Sequence, residues 1–245
     1  MSNHQDTPIA KKTALISIFL VVLLSLIRLG FWQLHRAETK RQLLAQNQLL
    51  SQQKALDIGV LKKAQIKNFL PVHLHGHWLE KGSFFLDNRV LDGKLGYNQF
   101  ALFSDHSGKI VWVDRGWTGF MHKRSFSKIA TSKGQLNLVG KIYFPEPYKV
   151  VALPQLSVDK QQILPGLNLA VMLPQLNKQG LKVEPYIVRQ TFPDNNPRLI
   201  KKWLVTNFPP QRHIGYAIQW FLMAFAFIIA SVVFYYKKIK VNDES

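Results

Sequence analysis

Residues 214–236 read IGYAIQWFLMAFAFIIASVVFYY, 23 positions without a formal charge. A helix needs about 20 apolar residues to cross a hydrocarbon core ~30 Å thick, so this run is long enough to span a membrane. Its polar members are Tyr216, Gln219, Ser231 and the pair Tyr235-Tyr236. A second apolar run lies near the other end, from Ala14 to Leu34, and Arg28 is its only charge. Lys11-Lys12 precede it, as they would in a cleaved signal peptide. The place of a small-x-small cleavage site is instead filled by Arg28, Phe31, Trp32 and Gln33, which favours an uncleaved anchor. The chain therefore divides into a tail (1–13), a first transmembrane helix (14–34), a central domain (35–212), a second transmembrane helix (213–236) and a second tail (237–245).

The 245 residues carry 32 Lys+Arg against 14 Asp+Glu, a net charge of +18, and no Cys. Without Cys the chain has no disulfide, thiolate metal site or thiol nucleophile. Both tails are short and basic beside the membrane (Lys11-Lys12; Lys237-Lys238-Ile239-Lys240), which places both in the cytoplasm by the positive-inside rule. The central segment is also basic, with 26 Lys+Arg and 11 Asp+Glu over 178 residues. Long segments translocate largely regardless of charge, so the tails decide the orientation and the domain lies on the outer face. Its charges form no basic run interleaved with aromatics, so anionic lipid headgroups are the expected partner and nucleic acid is not.

Residues 35–56 (HRAETKRQLLAQNQLLSQQKAL) contain neither Gly nor Pro and should extend the first span as a helix into water. Strands are expected at Val72 to Leu79 after Pro71, at Ser83 to Val90 and Tyr97 to Phe103 around the Asp92-Gly93 turn, and at Lys109 to Asp114. Two more are expected at Gln135 to Phe144 and Tyr186 to Phe192. The stretch 145–184 has no clear pattern beyond a short helix near Leu167–Leu176. The fold class expected is a membrane protein: two antiparallel transmembrane α-helices flank an α+β domain dominated by antiparallel strands, a meander that a barrel closure would suit.

Candidate chemistry is sparse. His73, His75 and His77 alternate along one strand face, ~6.7 Å apart, a spacing that metal sites use and that a solvent-facing strand edge equally explains. Asp87 and Asp114 have the chemistry of general acids, and ion pairs with the adjacent Arg89 and Arg115 are the plainer role. Asp92 belongs to its turn. No nucleophile elbow, phosphate loop or HExxH is present.

The membrane edges say more. Leu29-Gly30-Phe31-Trp32-Gln33-Leu34-His35-Arg36 with Lys40 ends the first span, and His213-Ile214-Gly215-Tyr216-Ala217-Ile218-Gln219-Trp220-Phe221 opens the second. Between them stand the motifs PV-x-L-x-G-x-W (71–78), NR-x-x-x-G-x-x-GY (88–97) and RGW (115–117). In this order and between two spans, the chain resembles the surfeit-locus family of cytochrome c oxidase assembly factors. The resemblance implies two spans, an outer-face domain and a non-enzymatic part in maturing a haem-copper oxidase. It also implies haem a as a transient cofactor, with His213 in the position of the proposed iron ligand. Expected partners are the oxidase large subunit and the haem a synthesis machinery. With 13 residues before the first span and no Arg among them, a bacterial inner membrane is the expected location. Arg28 departs from the family's small or apolar residue, and 145–184 matches it poorly.

Read physically, antiparallel spans put Trp32, Gln33, His213 and Tyr216 at one depth. His213, Tyr216 and Trp220 follow at i, i+3, i+7 and form one helical stripe. A neutral imidazole there suits an axial haem ligand with aromatic walls, and an interfacial aromatic belt suits the same residues. Arg28 and Gln219 lie about 9 Å deeper, level with each other. They are expected to face one another, or Arg28 to meet a haem propionate. Two rival functions remain: a tethered scaffold that binds no haem, and an outer-face hydrolase using Asp87 or Asp114.

Overall fold

Among the described residues of a computed structural model, the fold has two long α-helices, a short α-helix and eight strands. The structure describes residues 8–119, 134–146, 153–193, 198–206 and 208–243, with side chains described between 13 and 237. The extreme tails, residues 147–152 of the uncertain central stretch, and Asn207 lie outside the described residues. Contacts divide the chain into two compact units, Met1–Ala45 with Val205–Ser245, and Gln46–Leu204.

The first unit is a helix pair. Helix α1 covers Pro8–Ser51 without a break, 44 residues, so the polar stretch after the apolar run does continue the helix. Both α1 and the C-terminal helix are long and apolar enough to cross a membrane. Only 6% and 11% of their apolar windows are buried, which separates them from the core helices of a soluble protein. The chain is accordingly a two-span membrane protein with an α+β domain between the spans.

That domain is built on strands β1 (Leu56–Asp57), β2 (Pro71–Trp78), β3 (Phe84–Leu91), β4 (Lys94–Asp105), β5 (Ile110–Gly119), β6 (Leu136–Tyr143), β7 (Gln162–Leu164) and β8 (Val183–Phe192). Helix α2 (Leu169–Lys178) stands where the short helix is expected. The strands form one sheet in the order β1-β2-β6-β8-β5-β4-β3-β7, and a further β2–β4 pairing closes β2, β6, β8, β5 and β4 into a five-stranded barrel. A simple meander is not what forms. β5 pairs with β8 in parallel, as do β3 with β7 and β1 with β2; the connection from β5 to β8 runs through β6, β7 and α2.

All five barrel strands feed one interior. Val72 and Leu74, Ala101 and Phe103, Val111 and Val113, Leu138 and Ile142, Tyr186 and Val188 all turn inward. The opposite face of β4, β5 and β8 is covered as well. Phe100, Leu102, Trp112 and Ile187 pack with Leu164, Met172 and Leu176 in a second core under α2. Burial on both faces explains why β4 and β5 read as near-continuous apolar runs (QFALF, IVWV).

Local geometry follows the residues. Asp92 and Gly93 both have positive φ (47° and 76°), the two-residue turn that matches strand twist. Asn88 has φ 56° at a register break in β3, and Asp87 accepts its N–H at 2.7 Å, so Asp87 holds a β-bulge rather than pairing with Arg89. Asp92 is more than a turn residue, since Lys202 reaches it at 2.7 Å. In the uncertain stretch, glutamine amides satisfy an extended segment: Gln175 and Gln179 accept the N–H groups of Leu156 and Val158 at 2.8 and 3.1 Å. Gln179 also donates to the Leu156 carbonyl at 2.8 Å. Lys109 donates to the carbonyls of Ile58, Gly59 and Leu61 at 2.6, 3.3 and 3.0 Å, fastening that segment to the barrel.

Candidate functional site

The C-terminal helix, α3 (Pro210–Asp243), pairs with α1 along a repeat of fours and threes. On α1 the buried or half-buried positions include Phe19, Leu23, Leu26, Gly30, Gln33, Ala37 and Lys40. On α3 they include His213, Ala217, Trp220, Ala224, Phe227 and Ser231. Both rows, the seam of this pair, recur every three and four residues, one face of each helix. Phe19 stacks on Phe227 with ring centres 5.2 Å apart, and Phe31 meets Phe221 edge to face at 5.4 Å. Small residues let the backbones approach: a Cβ on Gly30 would stand 2.5 Å from the Phe221 ring.

His213 occupies the end of this seam where α3 begins and is 8% exposed. Its Nδ1 lies 2.8 Å from Gln33 Oε1, a contact in which an imidazole protonated at Nδ1 donates to the amide oxygen. The other nitrogen, Nε2, is buried without a hydrogen-bond partner. Burying an acceptor with nothing to accept from costs about 1–3 kcal/mol. Phe208 packs its ring 4.6 Å from the imidazole and stacks on Tyr216 at 5.8 Å. The reason is local. Phe208 precedes Pro209-Pro210 at the helix start, and a bulky residue there meets the fourth helical residue, His213.

The other expected site residues are distributed differently. Trp220 lies half-buried on the seam with His213; Tyr216 and Trp32 are 45% and 51% exposed beside it. Arg28 and Gln219 are exposed and off the seam, so the helix pair does not make them face each other. Each follows a seam position by two residues, which turns it some 200° around its helix, away from the partner.

The domain's histidines and carboxylates form no comparable site. His73, His75 and His77 do share the outer face of β2, with His73 and His75 rings 6.1 Å apart. His75 Nδ1 is engaged with Asn137 Oδ1 at 2.8 Å. Among the described residues no group of three His, Cys, Asp or Glu is placed to hold a metal. Asp114 is 3% exposed; Asn98 Nδ2 donates to both its oxygens at 3.1 and 2.9 Å, and the Gly116 N–H donates at 3.3 Å. Its cationic neighbours are Arg189 and Arg89, not the expected Arg115, which lies over Trp78 at 4.9 Å. Strand alternation sends Arg115 to the other face.

Burial lifts the Asp114 carboxyl from 3.8 to about 6, against the pull of Arg189, Asn98, Gly116 and Arg89. A folded pKa above the unfolded one favours the protonated fold. This group's contribution is therefore complete below about pH 4 and is lost as pH rises through about 6, by roughly 3 kcal/mol. Urea midpoints should show that decline between pH 4 and 7 in the native chain, and Asp114→Asn should flatten it. An unchanged slope in the variant would assign the decline elsewhere.

A profile of one protein family matches residues 20–225, from within the first span into the second. The chain belongs to the SURF1 family. Three SURF1-like proteins are similar along nearly their whole length. That of Rickettsia conorii is 28% identical over 217 residues, 85% of this chain and 86% of that protein. That of Rickettsia felis is 27% identical over 225 residues (89% and 95%), and that of Rickettsia bellii is 26% identical over 234 residues (89% and 88%). SURF1 proteins are cytochrome oxidase assembly factors, and membership gives this chain a part in that assembly. From the sequence, Gln33 stands at the right depth without its hydrogen bond, and Phe208, beside the start of the second span, receives no role. A bulky residue directly before a Pro-Pro helix start was the signal for the second.

Proposed function

We propose that the chain assists cytochrome oxidase assembly by holding haem a transiently at the outer end of the helix pair. The observation that supports this most is the buried, partnerless Nε2 of His213 opposite an Nδ1 that Gln33 engages. Ligand histidines are held in this way, with one nitrogen donating to an oxygen and the other left with its lone pair. The residues present fit the group. His213 is a neutral nitrogen donor, Phe208, Tyr216 and Trp220 are aromatic neighbours for a macrocycle, and Trp32 adds an indole at the same depth. Arg28 is turned away from the seam that carries His213, so the propionate contact expected of it has no part in this reading.

Haem is cargo in this reading. Its iron chemistry is exercised in the oxidase, and the chain catalyses no reaction on it. Its part is to exclude water, supply one axial bond and release the group to the oxidase large subunit, in contact with the haem a synthesis machinery. Lys11-Lys12 and Lys237-Lys238 support an inner-membrane topology with both termini cytoplasmic and the domain periplasmic. The test is the absorption spectrum of the full chain purified from cells that make haem a, where a bound haem a band is expected. A chain that purifies without haem yet restores oxidase assembly would be a scaffold, and the haem reading would fall.

A further inference from the structure

We infer that Gln33 is a positioning residue that fixes the proton of His213 on Nδ1 and, by accepting it with a neutral amide, keeps the axial bond weak enough to exchange; this rests on the haem reading above. The free imidazole side chain more commonly carries its proton on Nε2. Left alone in the seam, His213 would present a protonated Nε2 and no lone pair on its unpartnered side. The 2.8 Å contact to Gln33 Oε1 reverses that preference and commits Nε2 as the donor atom.

The identity of the acceptor sets the second half of the argument. The commonest partners of ligand histidines are carboxylates, backbone carbonyls and water, and a carboxylate raises the basicity of the ligating nitrogen most. An amide oxygen is neutral and draws the Nδ1 proton less. The imidazole therefore stays a moderate donor, as a protein that must surrender its cargo requires. Gln33 holds this place by geometry: it is a seam position of α1, one seam step beyond Gly30, where close helix approach brings its side chain within hydrogen-bond reach of His213. Cations flank it on the same helix at Arg36 and Lys40, and His35 stands two residues on. No carboxylate of either helix occupies a seam position among the described residues.

Two substitutions of Gln33 separate the roles. Gln33→Met keeps length and removes the acceptor; Gln33→Glu keeps shape and adds charge. In haem-free full-length protein in nanodiscs, with ¹⁵N-labelled histidine and His213 assigned by its absence in His213→Ala, the native ring should show the Nδ1–H tautomer. In Gln33→Met it should move toward Nε2–H. After loading in haem-a-producing cells, haem loss to excess apomyoglobin should be roughly 10–100-fold faster in Gln33→Met than in the native chain. In Gln33→Glu it should be slower than native, with a lower reduction potential. Native tautomer and native release rate in both variants would overturn the role of Gln33 while leaving His213 as ligand. A native chain that takes up no haem would overturn both readings.

Discussion

His213→Ala protein is expected to insert in the membrane at native levels and to lose its bound haem. The reasoning is one of substitution. Phe208, Tyr216 and Trp220 offer contact area around the macrocycle, and contact area does not replace an axial bond. Deleting a partner of a ligand histidine typically costs 10–100-fold in affinity, so deleting the ligand should cost more than about 100-fold. Alanine is the more comfortable residue in a membrane helix, and Ala217 and Ala224 already serve the same seam, so helix pairing should survive. The measurement is the haem band per mole of purified protein. Replacing His73, His75 and His77 together by Ser supplies the internal control, because they lie on the outer face of β2. That triple variant should keep its spectrum. A normal spectrum in His213→Ala would remove the ligand claim, and loss in the triple variant would move the site into the domain.

The largest stability effect belongs to Gly76→Ala. Gly76 pairs with Asp105 of β4 on one side and with Leu136 of β6 on the other, at the point where the barrel closes. A Cβ there would meet the carbonyl oxygen of Ser104 at 1.9 Å. Neither strand yields easily. Asp105 is tied to the His75 N–H and the Ser107 N–H, both at 2.9 Å, and Leu74 and Phe103 fill the interior beneath. Overpacking costs about 1–3 kcal/mol where side chains adjust, and more where backbone must move, so at least about 4 kcal/mol is expected here. For a unit of this size that lowers the thermal midpoint by roughly 10 °C or more. Tryptophan fluorescence during a melt reports it, since Trp78, Trp112 and Trp117 all lie in the domain. Gly93→Asn at the hairpin tip, with nothing within 4 Å, should leave the midpoint nearly unchanged. A Gly76→Ala midpoint equal to native would show that the closure is looser than described.

Much of the architecture was legible because local patterns carried it. The spans are set by length and charge, the hairpin by Asp92-Gly93, the β2 faces by alternating His and apolar residues, and α2 by its short apolar run. What escaped depends on chain separated in sequence. β7 is three residues long and exists through its parallel pairing with β3, far upstream. The extended segment near Leu156 is satisfied by side-chain amides of a later helix, which no strand pattern announces. Asp114 was matched to its neighbour Arg115, whereas Arg189 and Arg89 reach it across the sheet. At the helix pair, depth could be read from residue counts, which aligned Gln33 with His213. Rotation about each axis could not be read from depth, and it is rotation that parts Arg28 from Gln219.

The seam between α1 and α3 also has a phase. Its contacts recur every three and a half residues on average, while an undistorted helix turns every 3.6, so a straight pair would drift out of register by about 20° per heptad. The Phe19–Phe227 and Gln33–His213 contacts lie two heptads apart on both helices and are both kept. Keeping both contacts requires the two helices to stay in phase over those two heptads. One inserted residue between these two contacts would rotate the far end by about 100° and carry His213 off Gln33, while a whole inserted heptad in each helix would restore the match. The site's geometry is thus held by the phase of a screw as much as by the residues that touch.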